Sequence, residues 1–372
     1  MPIKPYDYLI VGSGLFGAVF AFEMKSSGKK CLVIDKRAHR GGNIYCDNIG
    51  GINVHKYGAH IFHTNDEKIW NYVNGLVKFN SYINSPLANC DGKMYNLPFN
   101  MNTFSQLWGI TTPADAERKV KEQTAEYKDL IPANLEEQAL SLVGRDIYHK
   151  FIKGYSEKQW GRPACELPAF LIKRLPLRFR YDNNYFDDKY QGIPVGGYNT
   201  LIDRLLMGIE CRLSADYQKD RAFFEACADK IVYTGRIDEY FHFSLGKLEY
   251  RSLKFLHEHL PVPDYQGNAV VNYPSGKVPF TRIIEHKHFE GGIQPHTVIT
   301  REFPCENPDE PYYPFNDEKN NKIYMGYKQM AAQQENVIFG GRLAEFKYYD
   351  MHQVVASALK KARAELHQTS TV

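Results

Sequence analysis

The N-terminal part of the chain alternates apolar runs with a cluster of glycines. Residues 7–11 (DYLIV) are typical of a buried strand in a parallel sheet that is covered on both faces. The segment Gly12–Gly17 (GSGLFG) follows directly, and the run after it has helical spacing. A second strand is predicted over Cys31–Ile34, and it ends at Asp35. The order strand, glycines, helix, strand and acid predicts a dinucleotide-binding site.

Each glycine of this segment (Gly12, Gly14 and Gly17) has a physical task. One makes the tight turn, one lets the backbone approach a pyrophosphate, and one lets the helix pack closely on the strand. The pyrophosphate would lie at the helix N-terminus, where unpaired N–H groups and the helix dipole favour an anion. Asp35 is placed to accept hydrogen bonds from a ribose diol. FAD and NAD share this pattern.

Two further segments favour FAD. A basic run from Lys36 closes on Gly41–Gly42–Asn43, which resembles the second phosphate-contacting loop of FAD-binding folds. Near the C-terminus, a short strand over residues 337–339 precedes Gly340–Gly341–Arg342, and a helix follows with Asp350 and Gln353 placed as a capping box. If both ends of the chain bind one cofactor, the dinucleotide-binding domain is discontinuous.

The middle of the chain is predicted to hold two inserted units. Residues 112–151 have helical spacing, whereas residues 242–315 are rich in strand formers, and 296–303 is typical of an antiparallel strand. We therefore predict an α/β fold with a discontinuous FAD-binding Rossmann-like domain, an inserted helical domain and an antiparallel β-sheet domain. The expected boundaries are 1–83, 194–241 and 317–372 for the FAD-binding domain; 100–165 for the helical domain with an adjoining mobile lid over 166–178; and 84–99, 179–193 and 242–316 for the sheet domain.

Composition narrows the possible functions. The chain has 372 residues and a net charge of +3, which gives no argument for nucleic-acid binding. Its seven cysteines contain no C-x-x-C, which favours a reducing compartment and a cytoplasmic location. The thirteen histidines have no accompanying ligands at metal spacing, so no metal is predicted. The apolar run 8–22 is too short to span a membrane, and glycines interrupt it.

Aromatic residues make up 14% of the chain, and many lie beside charged residues. The segment 151–161 (FIKGYSEKQWG) precedes Lys173–Arg174, and 181–186 (YDNNYF) follows. Rings beside arginines suit a planar base with a diphosphate, because rings stack on the base and guanidinium groups bind phosphate oxygens in pairs. Core packing explains each ring taken alone, but explains their joint placement less well.

Over essentially its whole length the sequence resembles the bacterial UDP-galactopyranose mutases. Ala59, where some members carry Pro, is a mild difference. The matching segments are GSGLFGAV from Gly12, GAHIFHT from Gly58, NSPL from Asn84, NLPFNMNTF from Asn96, KGYSEKQWG from Lys153, LPAFLIKR from Leu167, DNNYF from Asp182, IPVGGY from Ile193, EYRSLKF from Glu249, QGNAVVN from Gln266, TRIIEHKHF from Thr281 and GGRLAEFKYYDMHQV from Gly340.

The resemblance implies an isomerase that interconverts UDP-galactopyranose and UDP-galactofuranose and supplies furanose for cell-surface polysaccharide. N5 of reduced FAD would attack the anomeric carbon and expel UDP. The covalent flavin–sugar adduct would then open and close again as the furanose before UDP returns. Oxidised flavin lacks the required lone pair, so an external electron donor is expected. Bacterial members are commonly homodimers, and neither nucleic acid nor a membrane span is expected.

The resemblance also implies roles for individual residues. Arg174 and Arg282 would clamp the diphosphate, with Arg174 on the lid that substrate draws inward, and His60 and His63 would line the flavin and the sugar. The alternatives are surface ion pairs for the arginines and core packing for the histidines. The expected substrate contacts are Asn84, Phe151, Tyr155, Trp160, Tyr185, Phe186, Arg251, Asn272, Tyr313 and Tyr348. The expected cofactor contacts are Gly12, Gly14, Phe16, Gly17, Asp35, Lys36, Gly42, Asn43, His60, Ile61, Gly341, Arg342, Tyr348, Asp350 and Met351.

Other functions fit the same motifs. A flavin amine oxidase-like oxidoreductase can use this fold, because a fold alone does not determine the chemistry. A non-catalytic protein that binds flavin or a nucleotide sugar is a second alternative. Within the mutases, the substrate could be UDP-N-acetylgalactosamine or a dTDP-linked 6-deoxyhexose, because one substituent changes only a few contacts.

Overall fold

The computed structural model describes residues 4–172, 177–306 and 310–369. The strands of these residues are β1 (Tyr6–Val11), β2 (Cys31–Ile34), β3 (Cys46–Ile49), β4 (Ile52–His55), β5 (Phe62–Thr64), β6 (Leu87–Cys90), β7 (Lys93–Asn96), β8 (Phe99–Asn100), β9 (Leu177–Arg178), β10 (Tyr190–Gly192), β11 (Glu210–Arg212), β12 (Ala228–Tyr233), β13 (Tyr250–Leu260), β14 (Val270–Asn272), β15 (Arg282–Glu285), β16 (Thr297–Cys305), β17 (Tyr313–Pro314) and β18 (Val337–Phe339). The α-helices are α1 (Leu15–Ser26), α2 (Glu67–Leu76), α3 (Met101–Trp108), α4 (Pro113–Thr124), α5 (Leu135–Ile147), α6 (Lys153–Trp160), α7 (Tyr198–Leu205), α8 (Arg221–Cys227), α9 (Ile237–Tyr240), α10 (Glu318–Ala332), α11 (Gly341–Ala344) and α12 (Met351–Thr369).

A five-stranded parallel sheet forms the dinucleotide-binding part of the fold. Its strand order is β11-β2-β1-β12-β18, and all neighbouring strands are parallel. Tyr8 and Ile10 of β1 pack on one face with α1, α7 and α12, whereas Leu9 packs on the opposite face. Both faces are covered, which explains why residues 8–11 of β1 form a continuous apolar run. The predicted parallel sheet is confirmed.

This sheet is assembled from segments that are far apart in the chain. Strand β1 pairs with β12 at Ile10 and Val232, and β12 pairs with β18 at Val232 and Ile338. The dinucleotide-binding fold is therefore discontinuous, as the two glycine-rich segments predicted. The exact domain boundaries stay a prediction.

A seven-stranded sheet forms the second layer, in the order β17-β13-β16-β15-β14-β6-β7. Its pairs are antiparallel except for β14 with β6, which is parallel. In the β14–β15 hairpin, Asn272 lies opposite Arg282. Residues 179–193, expected in this layer, contribute β10, which pairs with β5 outside the seven-stranded sheet.

The predicted helical region contains α4 and α5, joined to α6 by a π-helical turn at Tyr148–Ile152. The side chain of Asn134 accepts a hydrogen bond from the N–H of Glu137 and so caps α5. Leu135, Val143 and Tyr148 are fully buried in one apolar cluster with Ala88 and Tyr95 of the sheet layer. The KGYSEKQWG motif forms α6, which lies where the helical region meets the sheet.

Candidate active site

The first glycines form a close junction between β1 and α1. Gly12 has φ +107°, and a Cβ there would lie 2.1 Å from Oγ1 of Thr234. A Cβ on Gly17 would lie 2.0 Å from the carbonyl oxygen of Gly12. Both positions therefore require glycine, one for its conformation and both for space.

The glycine pair Gly41–Gly42 contacts the first glycine segment. Gly41 and Gly14 form a β-bridge, and a Cβ on Gly42 would lie 3.0 Å from Cα of Gly14. Asp35 joins the two loops, since Oδ2 accepts hydrogen bonds from the N–H and the hydroxyl of Ser13 at 2.8 and 2.6 Å. Oδ1 of Asp35 accepts the N–H of Arg37 at 2.9 Å. A carboxylate has about four acceptor positions, so these bonds leave little capacity for the predicted ribose contact.

The N-terminus of α1 fits the pyrophosphate of FAD. Gly14 is the N-cap, and within the described part of the chain no side chain caps the helix and no acidic residue lies in its first turn. The first N–H groups of a helix have no partner inside it, and the dipole favours an anion there. Because glycines from two loops surround this end, a dinucleotide backbone can approach it closely.

The C-terminal glycine pair packs against the same junction. A Cβ on Gly340 would lie 2.1 Å from the ring of Phe16, and one on Gly341 would lie 3.4 Å from Cβ of Phe16. Arg342 follows, and its Nη2 donates to the carbonyl oxygen of Tyr349 at 2.7 Å. The structure thus brings the N-terminal and the C-terminal glycine segments to one place. These residues, Phe16 among them, fit the predicted cofactor site.

A cavity of about 570 Å³ lies between α6 and the seven-stranded sheet. Pockets of a few hundred Å³ with a few polar groups are typical of small-molecule sites. One part of the wall is apolar and includes Leu97, Phe99, Ile152 and Ile172. The predicted clamp residue Arg282 lines the cavity together with seven of the predicted substrate contacts: Phe151, Tyr155, Trp160, Tyr185, Asn272, Tyr313 and Tyr348.

Arg282 is the cation among the described residues of this wall. Its Nε lies 3.1 Å from Oε1 of the buried Glu302. Burial opposes the charge, but the Glu302 carboxylate and nearby phenols raise the pKa of Arg282 above its usual value. Burial raises the pKa of Tyr155 and of Tyr313 to about 12. At neutral pH the wall therefore presents a fixed positive charge with phenol groups that can donate hydrogen bonds.

Tyr313 and Tyr348 connect this cavity to the cofactor site. Their rings stack with centroids 5.0 Å apart, and the guanidinium of Arg342 lies 5.9 Å from the first ring and 5.6 Å from the second. Arg342 directly follows the glycine pair that packs on Phe16. The cavity and the predicted cofactor site therefore share the segment 340–348.

His60 lies in the loop between β4 and β5. Its Nδ1 is 2.7 Å from the carbonyl oxygen of Gly58, so Nδ1 carries the proton and Nε2 keeps a lone pair. Burial lowers the pKa of His60 to about 4, and the charges of Arg342 and Arg282 act in the same direction. The ring is therefore neutral at pH 7.

Several other predicted substrate residues lie outside the cavity lining. The carbonyl oxygen of Asn84 accepts the N–H of Tyr185 at 2.8 Å, which positions a residue that does line it. The ring of Phe186 stacks on that of His63 with ring centroids 3.7 Å apart, and Nδ1 of His63 contacts Asp188. Phe186 also packs edge-on against Tyr185, and the direct contact of these residues with substrate stays a prediction.

Arg251 also lies outside the lining. Its Nε donates to the carbonyl oxygen of Gln159 at 2.8 Å, at the C-terminus of α6. A Cβ on Gly161 would lie 2.6 Å from Nη2 of Arg251. The guanidinium thus satisfies a free carbonyl group at the end of the helix that carries Tyr155 and Trp160.

The remaining predicted residues have varied surroundings. Oδ1 of Asn43 accepts a hydrogen bond from Arg37 at 3.0 Å, whereas Lys36 is exposed. Ile61 and Met351 pack at the edge of the core beneath the parallel sheet. The N–H of Asp350 donates a hydrogen bond to Oε1 of Gln353 at 2.9 Å, which forms half of the predicted capping box. Arg174, the second expected clamp residue, lies outside the described residues.

Two groups of metal-ligating side chains come together in the described residues. One consists of His63, Asp350 and His352, and the other of Asp264, Glu285 and His288. The spacing in the sequence did not indicate them, because each group joins a close pair of residues to a third member from a distant segment, His63 or Asp264. In the second group, Glu285 already accepts bonds from the N–H groups of Tyr265 and Gln266 and from the hydroxyl of Thr297.

Sequence reasoning missed several residues of the wall. Gln159, Asn316 and Ser156 line the cavity, and a buried side-chain oxygen of Gln159 and of Asn316 has no hydrogen-bond partner among the described residues. Such atoms favour a polar ligand. Their position in or beside aromatic motifs was the available signal. Across the described residues, no helix is both long and apolar enough to cross a bilayer.

Comparisons with known proteins agree with this geometry. A profile of the UDP-galactopyranose mutase family matches residues 150–348, and a profile of an NAD(P)-binding Rossmann-like domain matches residues 10–76. A dTDP-fucopyranose mutase from Escherichia coli is 38% identical over 95% of this chain and 97% of its own length. A probable UDP-galactopyranose mutase from Klebsiella pneumoniae is 38% identical over 96% of this chain and 94% of its own length.

The fold comparison points the same way. A crystal structure of reduced UDP-galactopyranose mutase matches with a TM-score of 0.78 at 14% identity, over 98% of this chain and 95% of that chain. The predicted fold class and family are confirmed, and FAD as cofactor follows from the family together with the glycine junction that fits it. The chain belongs to the UDP-galactopyranose mutase family.

Proposed function

We propose that this chain is a FAD-dependent isomerase that interconverts UDP-galactopyranose and UDP-galactofuranose. One observation carries the proposal: the segment 340–348 packs on Phe16 at the cofactor site and also supplies Tyr348 to the cavity that holds Arg282. A sugar bound near the cofactor would thus have its diphosphate within reach of a fixed positive charge. Relatives named as mutases of nucleotide sugars support the same reading.

The chain's own residues bind and polarise the substrate. The apolar and aromatic part of the wall, which includes Phe151 and Trp160, buries the nucleobase and excludes water. Arg282 stabilises the negative charge that the diphosphate gains as its bond to the anomeric carbon breaks. The phenols of Tyr155 and Tyr313 donate hydrogen bonds to phosphate oxygens, because their raised pKa keeps them protonated.

FAD in its reduced form supplies, when bound, an electron-rich nitrogen for this chemistry. The reaction has no net redox change, since the diphosphate leaves with an electron pair and returns to the same carbon after the sugar ring has closed through a different hydroxyl group. The residues proposed to hold FAD are Gly12, Gly14, Gly42, Gly341 and Arg342. An external reductant activates the flavin but is not consumed in each turnover.

A second candidate substrate is a dTDP-linked 6-deoxyhexose. The relative from Escherichia coli is named dTDP-fucopyranose mutase and is as similar as the relative from Klebsiella pneumoniae, at 38% identity each. The two substrates differ by a hydroxyl group on the sugar and by small changes on the nucleoside. A wall that is largely apolar rejects such differences only weakly. UDP-N-acetylgalactosamine is a third candidate of the same type.

The test is a comparison of nucleotide sugars on dithionite-reduced enzyme. UDP-galactopyranose, UDP-N-acetylgalactosamine and dTDP-fucopyranose are incubated separately, and products are separated by chromatography. We expect the furanose isomer of UDP-galactopyranose to form fastest and oxidised enzyme to form none. Faster conversion of the dTDP sugar would shift the assignment to the second candidate, and a panel without any furanose product would contradict both.

The cellular setting belongs to the proposal as well. All seven cysteines are free thiols, which supports a reducing compartment such as the cytoplasm. We infer a homodimer and an external electron donor for the flavin, and light scattering of the purified protein tests the first of these. A monomer at micromolar concentration would contradict the inferred dimer.

A further inference from the structure

Lys158 binds four backbone carbonyl groups of one loop. Its Nζ lies 2.5 Å from the carbonyl oxygen of Tyr273, 2.8 Å from that of Ser275, 3.2 Å from that of Val278 and 2.9 Å from that of Phe280. An ammonium group has three N–H donors, so four acceptors surround it completely. The loop 273–281 is thus folded around a cation from α6.

This loop carries two cavity residues at its ends. It connects β14 to β15, and Asn272 and Arg282 face each other where it begins and ends. Both residues line the cavity. Within the loop, the N–H of Tyr273 donates to the carbonyl oxygen of Thr281 at 2.8 Å, next to that pair. The position of Arg282 therefore depends on how this loop is held.

Helix α6 is built to meet the loop on one side and the cavity on the other. Gly154 lies one turn before Lys158, and a Cβ there would lie 2.5 Å from the carbonyl oxygen of Pro274. Tyr155 and Gln159 are each one position further along and line the cavity. Residues four apart share a helix face, so Gly154 and Lys158 form the face that contacts the loop.

We infer that Lys158 is a positioning residue, which fixes the hairpin of Asn272 and Arg282 against the helix of Tyr155 and Gln159. Without the ammonium, four inward carbonyl groups lose a charged partner, and the loop must turn them toward water. Arg282 would then no longer be held at its distance from the cavity phenols. Displacement of a binding group by about 1 Å can reduce a rate roughly 100-fold.

The chain offers two matched controls. Nζ of Lys287 also binds three carbonyl groups, those of Pro263, Gln294 and His296, in loops beside the seven-stranded sheet that do not line the cavity. Lys277 lies in the same loop as the carbonyl groups that Lys158 binds, but its side chain is 77% exposed. Lys287→Met therefore reproduces the loss of a lysine that is surrounded by carbonyl groups, and Lys277→Met reproduces the loss of a positive charge from the loop.

The test measures the affinity of UDP for the holoenzyme by calorimetry, and the inference rests on the proposed function because UDP is the probe. We expect Lys158→Met to weaken UDP binding by about 10- to 100-fold with an unchanged flavin content. Lys158→Arg should weaken UDP binding by about as much, because the planar guanidinium group cannot donate to four carbonyl oxygens that converge on one point. The two control variants should bind UDP within about twofold of the wild type.

A double variant separates positioning from general destabilisation. If Lys158 acts through Arg282, Lys158→Met should change UDP affinity by less than about threefold when Arg282 is already Ala, whereas independent effects would multiply. Multiplying effects, or an equal loss in Lys287→Met, would overturn the inference. If the wild-type protein binds neither UDP nor dTDP, the proposed function fails first, so the two failures are distinguishable.

Discussion

Nε of Arg282 lies 3.1 Å from Oε1 of Glu302, and Glu302 is buried behind it. This ion pair places one positive charge on the cavity wall. Glu302, which does not line the cavity, holds the guanidinium of Arg282 in position. Burial raises the pKa of Glu302, and the charge of Arg282 opposes that shift. Removing either partner leaves the other as an uncompensated buried charge.

We therefore expect Glu302→Gln to reduce the free energy of unfolding by about 3 kcal/mol, the usual size of the effect when a buried ion pair loses one partner. Urea denaturation of the oxidised holoenzyme measures it. The exposed pair of Arg118 and Glu122 is the control, since Glu122→Gln should cost less than about 1 kcal/mol. Equal losses in the two variants would show that the Arg282 pair is not special.

Arg282→Ala should weaken UDP binding by roughly 100-fold, because a charge-assisted hydrogen bond to phosphate is lost in a site shielded from water. Arg174→Ala should lower both turnover and affinity if Arg174 is the second clamp residue. Calorimetry with UDP and initial rates with the sugar measure both effects. An Arg174→Ala enzyme with unchanged rate and affinity would contradict the clamp.

Tyr348→Phe removes one hydroxyl group and keeps the ring that stacks on Tyr313 at 5.0 Å. We expect UDP affinity to fall about 5- to 10-fold, the loss of one hydrogen bond, with little change in stability. Tyr324→Phe is the control, because its ring stacks on Phe346 and does not line the cavity. A similar loss of affinity in both variants would argue against a direct contact of Tyr348 with substrate.

Gly17→Ala should abolish FAD binding. The new Cβ would lie 2.0 Å from the carbonyl oxygen of Gly12, so the backbone that surrounds the start of α1 must shift. The ratio of flavin absorbance to protein absorbance measures the cofactor content. Gly75→Ala, also in a helix but with open space around its Cβ, should keep full FAD content. Normal FAD content in Gly17→Ala would contradict the assigned cofactor site.

The Glu285–His288 contact predicts a pH dependence of stability. The carboxylate of Glu285 raises the pKa of His288, and burial partly opposes this. A raised pKa means that the stabilisation is complete below the ordinary value of 6.5 and is lost as the pH rises through the folded-state pKa. His288→Gln should therefore cost about 1–2 kcal/mol at about pH 6 and clearly less at about pH 9.

Glu285 contributes in the opposite direction. Burial raises its pKa, but hydrogen bonds from His288, Thr297 and two backbone N–H groups lower the pKa of Glu285 to about 2. Its stabilisation is present above the ordinary value of 4.5 and is lost as the pH falls through about 2. Urea denaturation at several pH values measures both groups. A His288→Gln loss that does not change with pH would contradict the assigned ion pair.

The parts of the fold that depend on local sequence could be predicted from it. Gly12, Gly17 and Asp35 lie within one strand–helix–strand unit, so their spacing alone indicates their geometry. The buried strand β1 was visible because both of its faces are covered. The motifs of residues 151–161 indicated an aromatic site, but they did not predict its secondary structure. In the structure Phe151 lies on the π-helical turn, and Tyr155 and Trp160 lie on α6.

Contacts between distant segments could not be predicted in this way. The acceptors of Lys158 lie 115 to 122 residues away, and nothing in the residue types of a loop shows which carbonyl groups turn inward. The family resemblance implied Arg251 as a substrate contact, and in the structure its Nε donates to the carbonyl oxygen of Gln159 at the end of α6. The residue type did not show this helix contact, and the contact of Arg251 with substrate stays a prediction.

The central claim is an isomerisation without net redox change on reduced FAD. The most direct measurement incubates the enzyme anaerobically with UDP-galactopyranose and a known amount of dithionite that is much smaller than the amount of the sugar. The furanose product is then measured by chromatography. We predict many product molecules for each electron pair supplied, with the flavin still reduced at the end. Product that never exceeds the electron pairs consumed, or an oxidised sugar in place of the furanose, would contradict the account.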